Sequence, residues 1–277
     1  ETIRRWIEQG AKYQGHWAFI PPTRPAAPQI KNQNSKIKTP IDRFILARLE
    51  REELKPSPVA NKATLLRRVT LDLTGLPPSI EEADDFLSDD SPDAYERVVD
   101  RLLDSPEHAR RWARHWMDIW RYSDWWGLGA EVRNSQKHLW RWRDWVVESI
   151  NHDKGYDQML REMLAADELY PDDMDRLRAT GFLARQYFKF NRTSWLDETI
   201  QHTFKAMLGM TFNCAKCHDH KYDPISQRDF YSLAAMFGDQ NENGLLSYHG
   251  EVPPPFVRLF KSDEERAKEK TLMAAVV

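Results

Sequence analysis

Cysteine is the scarcest residue in this 277-residue chain, with two copies, and both fall in one run, Cys214-Ala215-Lys216-Cys217-His218-Asp219-His220. Any thiol chemistry is therefore confined to a single stretch. No apolar run approaches the ~20 residues that a membrane-spanning helix requires, and the opening residues are too polar for a signal peptide. An excess of one charge is also missing: 40 Lys and Arg stand against 43 Asp and Glu, a net charge of -3. No run of Lys or Arg builds the basic stripe that grips phosphates, so the sequence makes no case for nucleic acid as a partner. Internal repeats are lacking, and no stretch alternates as a strand does. With 41% hydrophobic and 30% charged residues, the chain can still form one large or two small cores. An all-α fold is expected: irregular and multi-helical, around an aromatic-rich core.

The cysteine run carries the most specific chemistry. C-x-x-C-H is the attachment pattern of a c-type haem. Thiols three residues apart reach the two vinyl groups on one porphyrin edge, and His218 is left beneath the iron as proximal ligand. Two other readings use the same residues. Zinc would take Cys214 and Cys217 with His218 or His220, but structural zinc sites space their second ligand pair farther away. A thioredoxin-like redox pair belongs at a strand-to-helix junction, whereas this run follows a helical pattern.

Helix signals punctuate the rest. Ile3, Trp6 and Ile7 share a face that stops at Gly10, and four prolines between Pro21 and Pro28 imply an extended linker. His16 beside Trp17 reads as packing. Thr39-Pro40 opens a helix over Ile41, Phe44, Ile45 and Leu49. A second helix runs from Ala63 to Thr74, stopped by Gly75; Ser79 with Glu82 makes a capping box for a third. Ser91-Pro92 and Ser105-Pro106 repeat the Thr39-Pro40 start signal.

Between His108 and Trp145 lie eight of the eleven tryptophans. His108, Trp112, Trp116 and Trp120 share one helical face, either a core face or a wall for a flat prosthetic group. Glycines break the helix within 121–129, and helix resumes from His138 to about Ile150. Arg133, Arg141 and Arg143 are candidate propionate contacts, or else Arg-Asp pairs tying helix to loop. Residues 156–166 form a further amphipathic helix, and the acidic turn Asp172-Asp173-Met174-Asp175 lacks the glycine and terminal glutamate of a calcium loop, so it reads as surface. A helix from Trp195 to Met210 enters the motif, and one from Asp229 to Phe237 leaves it.

Four stretches carry a family likeness: His16-Trp17-Ala18-Phe19, Leu73-Thr74-Gly75-Leu76-Pro77, Trp140-Arg141-Trp142-Arg143-Asp144-Trp145, and Leu208-Gly209-Met210-Thr211 running into the cysteine motif and on to Lys221-Tyr222-Asp223-Pro224. With them the chain resembles the planctomycete cytochrome-c-associated domain, a domain of unknown function in large exported proteins. The resemblance spans residues 16 to about 237. It implies a small cytochrome-c domain upstream, whose last helix Trp6-Ile7-Glu8-Gln9-Gly10-Ala11 resembles, and a further domain downstream. Ala165-Ala166-Asp167 departs from the Ala-Gly-Asp of many relatives, which bears on local packing.

These readings divide the chain into 1–38, the end of a cytochrome-like domain plus linker; 39–237, the helical haem-motif domain; and 238–277, a linker and the start of a following region. They assign one haem c to Cys214, Cys217 and His218, with His202 as first distal candidate, His138 as second, and Met207 and Met210 behind them. A second ligand favours electron transfer; an open position permits small-molecule chemistry. Asp219 is expected to bond a nearby imidazole or amide, and His220 a propionate or Asp223. Haem attachment takes place outside the bacterial cytoplasmic membrane, so the motif points to a periplasmic or exported electron carrier, its partner a neighbouring cytochrome-c domain. The alternatives are a zinc-clipped helical scaffold and an open-site haem enzyme.

Overall fold

The computed structural model describes residues 1–12, 16–30, 39–123, 139–184 and 192–238, with five isolated helical positions at 264, 267, 268, 271 and 274. Every regular element among the described residues is helical. Arg133 and His138, most of the 121–129 loop and the linker beyond 238 lie outside the described residues.

The chain divides into two units between Ala60 and Asn61. The first holds α1 (Thr2–Glu8), a 3-10 turn at Trp17–Phe19 and α2 (Pro40–Arg51). The helix α2 starts at Pro40 as Thr39-Pro40 predicts, and Asp42, which the sequence reading did not name, accepts from the Thr39 amide at 2.7 Å. His16 caps the 3-10 turn, its Nδ1 accepting from the Ala18 amide at 3.3 Å. Neither helix buries a residue. The boundary places α2 in the first unit.

The second unit begins with α3 (Lys62–Thr74), α4 (Ile80–Ser88) and α5 (Ala94–Leu103), which pack a small core of Leu66, Phe86, Ala94, Val98 and Leu102. The predicted signals hold at α3 and α4. Gly75 ends α3 at φ +77, and Ser79 and Glu82 exchange amide bonds at the start of α4. Ser91 behaves otherwise: its hydroxyl donates to Asp89 at 2.5 Å, and α5 starts three residues later. The nearby carboxylate captures the hydroxyl before a helix can.

Then α6 (Pro106–Ile119) joins the small core to a larger one. Its Arg111 donates from Nε to the carbonyl of Asp72 at 3.0 Å, and His108 Nδ1 lies 3.2 Å from the carbonyl of Leu73. These are carbonyls of the last turn of α3, which lack partners within the helix. The tryptophan stripe is thus divided. Trp120 is fully buried and stacks on Trp116, while Trp112 is 40% exposed beside His115.

The larger core lies among α6, α7 (Trp140–Asn151), α8 (Tyr156–Leu169), α10 (Gly181–Ala184), α11 (Arg192–Leu208) and α12 (Gln227–Met236), with α9 (Met174–Leu177) between α8 and α10. Trp120, Trp142, Trp145 and Trp195 are its largest fully buried side chains. A Cβ added at Gly181 would fall 2.4 Å from the Trp142 Cβ, so glycine is what lets α10 meet α7. The helix α8 breaks at Ala165 (φ -151), beside the Ala166 departure noted above, and Ala166 is fully buried.

Candidate functional site

Gly209, at φ +66, ends α11, and Phe212 then stacks on Phe204 with centroids 4.1 Å apart. The chain enters a 3-10 turn at Asn213–Lys216. The Cys217 amide donates to the Cys214 carbonyl at 3.2 Å, so the two cysteines lie one turn apart, both exposed and both free thiols. Ala215 between them is fully buried in the larger core. A small apolar residue anchors the turn while its neighbours face solvent.

The turn is held from three sides. Lys216 pairs with Asp197 of α11 at 2.5 Å, and that carboxylate raises the ammonium above its ordinary pKa. The carbonyl of Lys216 accepts from Gln227 Nε2 at 3.0 Å and from the Tyr231 hydroxyl at 3.2 Å, both on α12. Asp219 accepts from the Gln227 amide at 2.8 Å, one of the two partners expected for it. The sequence reading missed Asp197, Gln227 and Tyr231. Gln227 and Tyr231 stand four apart on a helix, which is the available signal, but their target is a backbone carbonyl and no side-chain pattern announces it.

The two motif imidazoles are used differently. His218 is exposed, with Nδ1 2.7 Å from the Asp219 carbonyl. A carbonyl can only accept, so Nδ1 carries the proton and Nε2 keeps its lone pair. In His220, Nδ1 accepts from the Asp223 amide at 2.9 Å, and its own amide donates to Ile225 at 2.8 Å. That ring closes the 220–225 turn. The expected bond to the Asp223 side chain is not made: the carboxylate lies 3.5 Å from the same Nδ1, which is already an acceptor.

His202 is elsewhere. It is 4% exposed, stacks on Phe182, and places Nε2 3.1 Å from the Trp120 carbonyl. Its ring therefore ties α11 to the end of α6. Met207 and Met210 pack against the larger core. Arg143 pairs with its neighbour Asp144 at 3.0 Å, and the Arg141 guanidinium lies over the Trp140 ring at 5.0 Å. Among the described residues no three His, Cys, Asp or Glu side chains converge as a metal site. Cys214, Cys217, His218 and His220 are all described, and the ring of His220 is already engaged with the 222–223 backbone.

The residues fit covalent haem attachment in their donor chemistry: two free, exposed thiols one turn apart, and an imidazole whose second nitrogen is fixed by a carbonyl, as outer-shell partners fix ligating histidines. No helix among the described residues is long and apolar enough to cross a membrane. A family profile described as PSCyt2, protein of unknown function (DUF1549), matches residues 40–242. No curated protein and no solved structure matches the chain.

Proposed function

The chain belongs to the PSCyt2 family, whose function is unknown, and from its cysteine motif we propose that it carries one haem c and works in electron transfer within a larger exported protein. The observation that carries this reading is the 2.7 Å bond from His218 Nδ1 to the Asp219 carbonyl, beside two exposed thiols. It leaves Nε2 as the only lone pair of that ring and fixes the ring's orientation. Cys214 and Cys217 would hold the group through thioethers, each thiol adding across a vinyl bond, and His218 would be the axial ligand. What such a group supplies is reversible one-electron transfer.

The chain's own residues set the surroundings. The Lys216 carbonyl, bonded twice from α12, and the Lys216–Asp197 pair keep the turn in place when charge changes nearby. His202, committed to Trp120, is a core strut in this arrangement. The natural electron partner is a neighbouring cytochrome-c domain, and the setting is periplasmic, where haem is attached.

The test is expression with haem-maturation machinery, followed by intact mass and a visible spectrum. The expected result is one added haem and a low-spin Soret spectrum, with His138 as the remaining candidate for the second ligand, both lost in Cys214→Ser with Cys217→Ser. A high-spin spectrum would replace the carrier with an open-site enzyme. Colourless protein with both thiols alkylatable would end the haem reading.

A further inference from the structure

The polar groups around Glu162 of α8 are committed to one another. Glu162 is 1% exposed; Trp145 Nε1 and Lys154 donate to its Oε2 at 3.2 and 2.6 Å, Gln158 donates to Oε1 at 2.9 Å, and Arg176 approaches Oε1 at 3.6 Å. Cys214 and Cys217 are in the opposite state, free and exposed.

The backbone limits what these two thiols can hold. The bond of 3.2 Å from the Cys217 amide to the Cys214 carbonyl closes one turn, and the ends of such a turn lie within roughly 7 Å of each other at Cα. That is inside the range over which two cysteine side chains can be bridged. Exposed side chains are free to rotate, so both sulfurs can reach one atom while the backbone stays in place. The turn is already ordered: Ala215 is fully buried, and the Lys216 carbonyl accepts from Gln227 and Tyr231 of α12. A ligand therefore does not have to organise it.

The number of donors then selects the ion. Tetrahedral zinc takes four ligands, and calcium and magnesium take oxygens in larger sets. Among the described residues no group of three His, Cys, Asp or Glu side chains forms around the pair. A soft monovalent ion is complete with two thiolates in line, and thiolate sulfur favours copper(I). We propose that the motif turn, while it carries no haem, binds one copper(I) ion between the sulfurs of Cys214 and Cys217. Each thiol gives up its proton as its sulfur bonds to the ion, so one ion entering releases two protons and no oxidation state changes. The site rests on the free thiols and not on the haem reading. Ion and haem exclude each other, because a sulfur bound in a thioether no longer forms a thiolate.

The intact chain, made without haem-maturation machinery and kept reduced and free of oxygen, is titrated with copper(I) against a chromophoric copper(I) chelator, and thiol alkylation is followed by intact mass. The expected result is one ion per chain with both thiols protected, and no ion on chain alkylated beforehand. Outer-shell partners of a metal are worth about 10–100-fold in affinity, so losing a sulfur ligand in Cys214→Ser or Cys217→Ser should weaken binding more than about a hundredfold. Both side chains are exposed, so each variant keeps the parent Tm, measured on the same samples. The proposal falls if both thiols still alkylate at one ion per chain, if pre-alkylated chain or either serine variant binds like the parent, if half an ion binds per chain, or if zinc protects both thiols as completely. Failure here leaves the haem reading standing, and colourless protein from the maturation test leaves this site standing.

Discussion

The motif turn at 214–220 and the ion centre at Glu162 are both dense in polar contacts, yet they face opposite ways. In the turn, backbone groups and the flanking side chains Asp197, Gln227 and Tyr231 bond one another, while both thiols and Nε2 of His218 point outward unspent. At Glu162 the charge points inward, and three donors and the Arg176 charge consume it. One region spends backbone bonds to hold reactive groups ready; the other spends reactive groups to hold helices together. Perturbed charges or free donors mark chemistry only where the fold has not already used them.

The sharpest way to break the comparison is Glu162→Ala, which leaves Lys154, Arg176 and the Trp145 N–H without their shared acceptor. A loss of about 3 kcal/mol is expected in urea unfolding. Next is Gly181→Ala, where the new methyl meets Trp142 at 2.4 Å; overpacking of this kind costs about 2 kcal/mol and should lower Tm without touching thiol reactivity. A smaller effect separates the motif imidazoles. His220→Ala removes the acceptor for the Asp223 amide and should cost about 1 kcal/mol, whereas His218→Ala should change stability by less than about 0.5 kcal/mol. Equal losses from the two would erase the distinction drawn between them.

The smallest effect concerns acid. The hydroxyl and amide of Ser91, with Arg97, hold Asp89 down from 3.8 to about 2. A depressed carboxyl favours the folded state above its ordinary value and loses that contribution as pH falls through the folded one. The Asp89 contribution should therefore be complete near pH 5 and fade toward about pH 2. An NMR titration of the Asp89 carboxyl in Ser91→Ala should return the midpoint toward 3.8.

Local signals were legible wherever one short stretch decides the outcome. The Thr39-Pro40 start of α2, the capping pair Ser79 with Glu82, the αL glycine at 75, and the run from Cys214 to His220 all involve residues within a few positions of each other. Ser91 shows the limit of such signals, because a carboxylate two residues earlier outcompeted the helix for its hydroxyl.

What only the tertiary structure decided is where each of several similar side chains ends up. His202 and His218 are both imidazoles on or near one helix, yet one is locked to the Trp120 carbonyl 82 positions away and the other faces solvent. The tryptophan face of α6 reads as one stripe, but it turns from core to surface along its length because only its later turns meet the larger core. Glu162 looks like any helical glutamate until α7 and the 173–178 segment bring their donors to it. The sequence by itself determined helices, their ends and the chemistry of one motif, since those depend on neighbours along the chain. Which polar groups are consumed and which stay available depends on contacts between distant segments, and those exist only once the helices have packed.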